Sequence, residues 1–444
     1  MERGSVAQTQ AVGEPAPGSA PLVDSGLKVP FILLILCFAA WGAAANLTDV
    51  LVGVFRQIFT MSNFESALIQ FAYYGAYFSL AIPAALINRR YGYKVGVLTG
   101  LGLAALGGVL FIPASSLLEF FPFLLALFVL AAGMSILETS ANPFVIAMGP
   151  EDSATQRLNL AQAFNPVGAN IGVLLGAVII LPALTSEAEK TIMSSEELRQ
   201  SQEDDLALVL GPYLGIAAVL VLIWVLIALR RMHTRAERQE EGETSSGALG
   251  RLWRNRHYRY GVAAQFFNVA AQVCAWSFTI QYARDVVGVS ADAAGWYLQA
   301  SLLVFLVSRF LMTYLLGKFR PSLLLFAMGA LGVGLSLTAV FSQNMVGLIA
   351  VVGISLSLSL MFPTIYGVAL EGLGEDTKFG AAGLVMAILG GALMPLVHGR
   401  VMDTAGAAAG FVVPAVCLAL VTCYALFDLR AGPRGGKLVA EGAH

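Results

Sequence analysis

The fold follows from an apolar stretch that runs from Phe121 to Met148, FPFLLALFVLAAGMSILETSANPFVIAM. It exceeds the about 20 residues that an α-helix needs to cross the hydrocarbon core of a bilayer. Its one charged residue is Glu138, close to the middle. Comparable segments recur along the whole chain, and the sequence predicts twelve spans. They lie near 29–58, 66–88, 95–116, 121–148, 157–184, 207–230, 258–284, 292–317, 322–342, 345–370, 378–402 and 408–428.

The composition is that of a protein which spans the membrane many times. Of the 444 residues, 57% are hydrophobic and 12% are charged, about half the charged share of a soluble domain. Such hydrophobicity excludes intrinsic disorder, and a net charge of −2 excludes a nucleic-acid-binding surface. The spans lack the ten-residue alternation of a β-barrel, so we predict an all-α membrane protein.

Enzyme and cofactor motifs are missing from the sequence. The four histidines and four cysteines have no metal-ligand spacing. There is no GxxxxGK[ST] phosphate-binding loop, no HExxH and no GxSxG. We therefore predict no metal site, no cofactor and no enzymatic activity.

Lysines and arginines predict the orientation. With both termini in the cytoplasm, cytoplasmic segments hold about four times as many of them as external segments do. Arg309 lies within the eighth span, within eight residues of its cytoplasmic end, and we expect it to snorkel toward water. The longest external loop, 185–206, is acidic. The N-terminal residues lack the basic start of a cleaved signal peptide.

A repeat divides the chain into two halves. The stretch ANPFVIAMGPED (Ala141 to Asp152) resembles MFPTIYGVALEGLGED (Met361 to Asp376), which makes the fourth and tenth spans equivalent. We predict a disordered cytoplasmic tail (1–27), an N-terminal six-helix bundle (28–230), a cytoplasmic linker (231–257), a C-terminal six-helix bundle (258–430) and a second tail (431–444). Two parallel six-helix halves with a site at their interface form the major facilitator architecture.

Two carboxyl groups lie well inside spans, away from their ends, Asp49 in the first and Glu138 in the fourth. A charge at that depth costs several kcal/mol, so an intramembrane acid is by default a functional hypothesis. Burial favours the neutral form of a carboxyl group, which suits a residue that gains and loses a proton during transport. Both acids fall in the N-terminal half, and neither has an acidic counterpart at the equivalent position of the C-terminal half. We therefore expect that half to handle the proton.

Amides and tryptophans accompany these acids at helical spacing. Asn46 precedes Asp49 by one turn, and the seventh span carries polar residues at i, i+3, i+7 and i+11. Amides pair with vicinal hydroxyls, and indole rings offer an apolar platform to a sugar. The alternative is that they join helix to helix. The predicted substrate-binding residues are Asn46, Gln162, Asn165, Gln272, Trp276, Trp41 and Asn268, with Gln265 completing the seventh-span stripe.

Several motifs resemble the fucose:proton symporter family. The most specific are NLTD (Asn46 to Asp49) and LETSANPF (Leu137 to Phe144). Longer stretches agree as well, namely RLNLAQAFNPVGANIG (157–172), AAQVCAWSFTIQY (270–282) and GEDTKFGAAGLVM (374–386). The resemblance implies that Asp49 and Glu138 couple uptake to the proton gradient. It also implies that Asn46, Gln162, Asn165, Gln272 and Trp276 line the sugar cavity.

The sequence departs from this family at three positions. Ala45 and Thr48 stand where its fucose carriers have asparagine, and Arg89 stands where the superfamily commonly has aspartate. We predict a proton-coupled importer of a monosaccharide, L-fucose first, in the bacterial inner membrane and active as a monomer. A carrier of glucose, galactose or N-acetylglucosamine and a transport-inactive sugar sensor remain the alternatives.

Overall fold

The computed structural model describes residues 21–58, 63–117, 120–175, 185, 193–232 and 247–431. Within these residues the chain forms helices and short connections, with no strand. The helices of the first half are α1 (Lys28–Ile58), α2 (Asn63–Tyr91), α3 (Tyr93–Leu117), α4 (Phe120–Ile146), α5 (Ala154–Gln162), α6 (Phe164–Leu175) and α7 (Ser195–Ala228).

The second half begins after a short linker helix, α8 (Ala248–Arg254). Its helices are α9 (Arg256–Asp285), α10 (Ala291–Leu316), α11 (Pro321–Phe341), α12 (Met345–Leu358), α13 (Met361–Leu370), α14 (Thr377–Met386), α15 (Gly390–Ala405), α16 (Ala407–Gly410) and α17 (Val412–Ala431). Each predicted span coincides with one of these helices or with a consecutive set of them, although residues 176–184, at the end of the fifth, lie outside the described residues.

Nine segments among the described residues are long and apolar enough to cross a membrane. Three predicted spans are absent from that set, those formed by α2, by α5 with α6, and by α9. The seventh span carries buried polar residues such as Gln265 and Asn268, which lower its hydropathy. The fifth span carries the buried Gln162, and its end at 176–184 lies outside the described residues. A helix that contributes polar groups to the interior of a bundle has less need to be apolar on every side.

Prolines interrupt the fifth and tenth predicted spans between their ends. Proline has no amide hydrogen, so Pro166 cannot donate to the carbonyl of Gln162, four residues earlier, and Pro363 cannot donate to that of Ser359. The structure accordingly breaks the fifth span at Ala163 and the tenth span at 359–360. Two carbonyl groups inside predicted spans are thereby left without their helical partner.

The two halves are in contact at the ends that the sequence places in the cytoplasm. Asn159 Nδ2 donates to Thr364 Oγ1 at 3.2 Å, and Gln156 Nε2 donates to the Thr313 carbonyl at 3.3 Å. Buried apolar residues of α13 and α14 also join the hydrophobic core of the first half. We call this set of contacts the inner seam. It closes the interface on the predicted cytoplasmic side of the cavity.

Two predicted boundaries differ from the structure. The tail was predicted to be disordered through residue 27, but Val23 and Leu27 are buried and Leu22 accepts a hydrogen bond from Arg157 at 2.8 Å. The external segment 185–206 was predicted as a loop, but α7 begins at Ser195. A capping box formed by Ser194 and Glu197 starts that helix early and lowers the pKa of the Glu197 carboxyl.

Candidate functional site

A cavity of about 90 Å³ lies between the two halves. Four of the predicted binding residues line it together, two from each half. They are Asn46 and Asn165 on the first half and Gln272 and Trp276 on the second. The remaining wall includes Asn170, Leu302, Phe305 and Arg309.

Close packing of α1 against α6 positions the two asparagines. Gly42 and Gly168 each leave no room for a Cβ, because the Asn165 and Ala39 carbonyl groups occupy that space. Asn46 Nδ2 donates to the Gly42 carbonyl at 3.1 Å, and Asn165 Nδ2 donates to the Phe38 carbonyl at 3.3 Å. In each asparagine the side-chain nitrogen donates a hydrogen bond to a backbone carbonyl group of α1, and the side-chain oxygen can accept one from a ligand.

The opposite wall combines an indole ring with an amide. Trp276 Nε1 donates to Ser355 Oγ at 3.0 Å, and this hydrogen bond fixes the indole ring. The Phe305 ring packs edge to face against the indole, with 5.0 Å between the ring centres. Gln272 lies one helical turn before Trp276 on α9. An aromatic face beside amide groups suits a molecule with hydroxyl groups on an apolar carbon ring.

Arg309 borders the cavity, and the expectation that it snorkels to water is wrong. Its side chain is buried, its guanidinium carbon lies 4.8 Å from the centre of the Phe305 ring, and Nε donates to the Ser359 carbonyl at 2.9 Å. Nη1 donates to the Gln162 carbonyl at 2.6 Å. These are the two carbonyl groups that Pro166 and Pro363 deprive of a helical donor, so the arginine caps both broken helices. The two prolines are the feature of the sequence from which a buried donor such as Arg309 could have been predicted, because each leaves one carbonyl group without its helical donor.

Glu138 is buried but does not line the cavity. Its side chain is 1% exposed, and neither carboxyl oxygen has a hydrogen-bond partner among the described residues. Tyr77 from α2 and Tyr366 from α13 lie within electrostatic range of it. Both halves therefore enclose this carboxyl group.

Gln162, Trp41 and Asn268 are not among the described residues that line the cavity. Gln162 is buried, and its Nε2 donates a hydrogen bond to Asn142 Oδ1 at 2.8 Å. Asn142 lies one turn after Glu138 on α4. Trp41 Nε1 donates to Tyr77 OH at 3.0 Å, so the indole is held by α2. Asn268 is fully buried on α9. Asp49 belongs to α1, but its side chain lies outside the described residues.

The cavity offers hydrogen-bonding groups rather than metal ligands or a nucleophile. No group of three or more His, Cys, Asp or Glu among the described residues could hold a metal ion. The cavity lining includes neutral amides, one aromatic platform and one arginine whose donors are partly used. Such an arrangement can bind a small neutral polyol and release it when the halves separate.

Comparisons with known proteins agree with this geometry. The model of the Major Facilitator Superfamily matches residues 31–388. The L-fucose-proton symporter of Escherichia coli is 39% identical over 406 residues, which cover 90% of this chain and 93% of that protein. A glucose/galactose transporter of Brucella abortus is 33% identical over 400 residues, or 90% of this chain and 93% of that protein. The crystal structure of the transporter FucP in the outward conformation superposes with a TM-score of 0.85 at 38% identity, covering 91% of this chain and 99% of that one.

Proposed function

The chain belongs to the Major Facilitator Superfamily, within the family of L-fucose-proton symporters, and we propose that it imports L-fucose together with a proton. It is a multi-pass membrane transporter and not an enzyme. L-Fucose is preferred because the L-fucose-proton symporter of Escherichia coli is 39% identical, against 33% for the glucose/galactose transporter of Brucella abortus. Those two hexoses remain the second candidate, because Ala45 and Thr48 remove two amides near Asp49.

One observation carries the proposal. The amides of Asn46, Asn165 and Gln272 and the ring of Trp276 converge on a cavity at the interface of the halves. Sugar hydroxyls can replace water at such amides, and the indole can cover the apolar face of the sugar ring. Because residues of both halves contact the bound sugar, a change in the relative tilt of the halves changes the contacts that hold it.

Glu138 would couple the sugar to the proton. In the protonated form it can remain buried at low cost, whereas an unpaired carboxylate in this enclosure would be strongly disfavoured. Gln162 connects the two sites, since its side chain bonds Asn142 beside Glu138 and its carbonyl bonds Arg309 at the cavity. Asp49 is proposed as the second proton site, on the family resemblance. Inward loss of the proton would then accompany release of the sugar.

Replacing Glu138 with glutamine tests this role. Glutamine mimics the protonated acid, so the variant should exchange labelled L-fucose across a proteoliposome membrane but fail to accumulate it against a gradient. Glu151, an exposed acid between the fourth and fifth spans, provides the matched control as Glu151→Gln. Uphill accumulation by Glu138→Gln at the wild-type level would contradict the coupling role.

Substrate identity needs a separate measurement. Wild-type protein in proteoliposomes, with an imposed pH gradient, should take up labelled L-fucose, and unlabelled L-fucose should compete better than glucose, galactose or N-acetylglucosamine. Stronger competition by a hexose would transfer the assignment to that sugar. Binding of sugar without any uptake would support the sensor alternative.

We further propose that the protein works as a monomer in the bacterial inner membrane, with both termini in the cytoplasm. The excess of Lys and Arg on one side supports this orientation. The bundles 28–230 and 258–430 would be the two moving bodies, with 231–257 as the cytoplasmic linker. Cysteine labelling from either side of the membrane would test the orientation.

A further inference from the structure

The amide stripe of α9 continues beyond the cavity. Gln272 and Trp276 line the cavity, while Asn268 and Gln265 follow toward the start of the helix. At 1.5 Å per residue, Asn268 lies about 6 Å and Gln265 about 10 Å below Gln272 along the helix axis. We call Gln265 and Asn268 the inner amide pair.

Both residues of the inner amide pair are completely buried without hydrogen bonds. Each side chain is 0% exposed, and neither the nitrogen nor the oxygen of either amide has a partner among the described residues. Buried polar side chains in folded proteins are nearly always paired, and each exception calls for an explanation. Apolar residues would suit this position better if the present packing were its only role.

The inner amide pair does not belong to the packing contact between α9 and α15. That contact uses Phe266, beside Gly390, and Val269 and Val273, beside Gly391. Each amide is one residue away from one of these, and one residue turns the helix by about 100°. Gln265 instead shares its side of the helix with Gln272 and Trp276, which face the interface of the halves.

The inner seam closes the interface in this state. Asn159 bonds Thr364, and Arg309 bonds the Gln162 carbonyl, so α5 is tied to α13 and α10. When the halves rock, these contacts must separate, and the interface opens at the predicted cytoplasmic end.

We propose that the inner amide pair is an exit station, which binds the hydroxyl groups of the sugar on its way from the cavity to the cytoplasm. The inference rests on the proposed function, because it needs a substrate with hydroxyl groups that crosses the interface. In the present state the cavity residues bind the sugar and the amides stay covered. In the opened state the amides find their partners in the departing sugar and in water, which lowers the barrier to release.

Variants with apolar side chains of similar size test the station. Asn268→Leu and Gln265→Met, separately and combined, should bind L-fucose to the purified protein with wild-type affinity. Each single variant should lower the exchange of labelled L-fucose in proteoliposomes by roughly tenfold, the loss that one hydrogen bond of typical net strength accounts for, and the combined variant should lower it further. Their melting temperature in detergent should be unchanged or higher, because an unpaired buried amide is removed.

Gln272→Met is the matched control, because Gln272 lines the cavity on the same helix. It should weaken equilibrium binding as well as exchange. Wild-type exchange by the combined inner variant would overturn the station, and so would a loss of binding equal to that of Gln272→Met. If the wild-type protein itself neither bound nor exchanged the sugar, the proposed function would fail instead.

Discussion

Arg309 shows how a single residue depends on the backbone around it. Pro166 and Pro363 leave the carbonyl groups of Gln162 and Ser359 without helical donors, and the guanidinium supplies both. An unsatisfied carbonyl group in the interior of a membrane protein costs several kcal/mol, so this arginine compensates for two helix breaks. It also ties the first half to the second beside the cavity.

Arg309→Lys should show that the two donors of the planar guanidinium group, and not its charge alone, are needed to bond the two carbonyl groups. An ammonium group cannot span the two carbonyl groups as the guanidinium does, so one of them loses its donor. We expect a loss of stability of about 1–3 kcal/mol and a marked fall in uptake of L-fucose. Thermal unfolding in detergent and proteoliposome uptake measure the two effects. Arg400→Lys, at an exposed position, should change neither.

At the scale of elements, the contact between α1 and α6 determines the geometry of one cavity wall. Gly42, Gly168 and Gly172 face backbone carbonyl groups at distances that exclude a Cβ. Small residues let membrane helices approach closely and pack through backbone contacts. Asn46 and Asn165 each project from this contact into the cavity, so their separation depends on it.

Gly168→Ala should therefore destabilise the protein. Its new methyl group would overlap the Ala39 carbonyl, and α6 would have to move away from α1. We expect a loss of about 1–3 kcal/mol in stability and weaker sugar binding. Gly215→Ala on α7 is the matched control, since no atom lies within 4 Å of its added Cβ. It should be neutral or slightly stabilising. Equal melting temperatures for the two variants would contradict the role of the contact.

The sequence predicted the elements better than their side-chain partners. Hydrophobic length located the helices, and the prediction of two halves with a site at their interface brought Asn46, Asn165, Gln272 and Trp276 together. Spacing along one helix cannot show how far a neighbouring helix covers a residue, so the sequence did not show that Asn268 is fully buried or that Trp41 bonds Tyr77. Arg309 was missed because its partners are backbone groups on two other spans, which no local pattern in the eighth span records.

For the whole molecule, the inner seam defines the state that the structure represents. The predicted cytoplasmic ends are held together by one hydrogen bond between α5 and α13 and one between α5 and α10. A cation–π contact adds to them, in which the Arg89 guanidinium carbon lies 5.5 Å from the centre of the Phe379 ring. Lys378 makes the reciprocal contact with Tyr93 at 5.5 Å. Arg89 and Tyr93 flank the connection between α2 and α3, whereas Lys378 and Phe379 belong to α14, so the two cation–π contacts join the first half to the second at this end.

A disulfide across the inner seam should arrest transport with the cytoplasmic side closed. Thr155 and Gly367 meet across the interface, and a Cβ added to Gly367 would lie 3.2 Å from the Thr155 Cβ, so a small outward shift brings the pair to the Cβ separation of a disulfide, about 3.5–4.5 Å. Oxidised Thr155→Cys/Gly367→Cys should still bind L-fucose in the cavity but lose both uptake and exchange, because the halves can no longer separate there. Reduction with dithiothreitol should restore transport, and Thr155→Cys alone should be insensitive to oxidation. Undiminished exchange by the crosslinked protein would mean that the sugar does not pass between the halves at this seam.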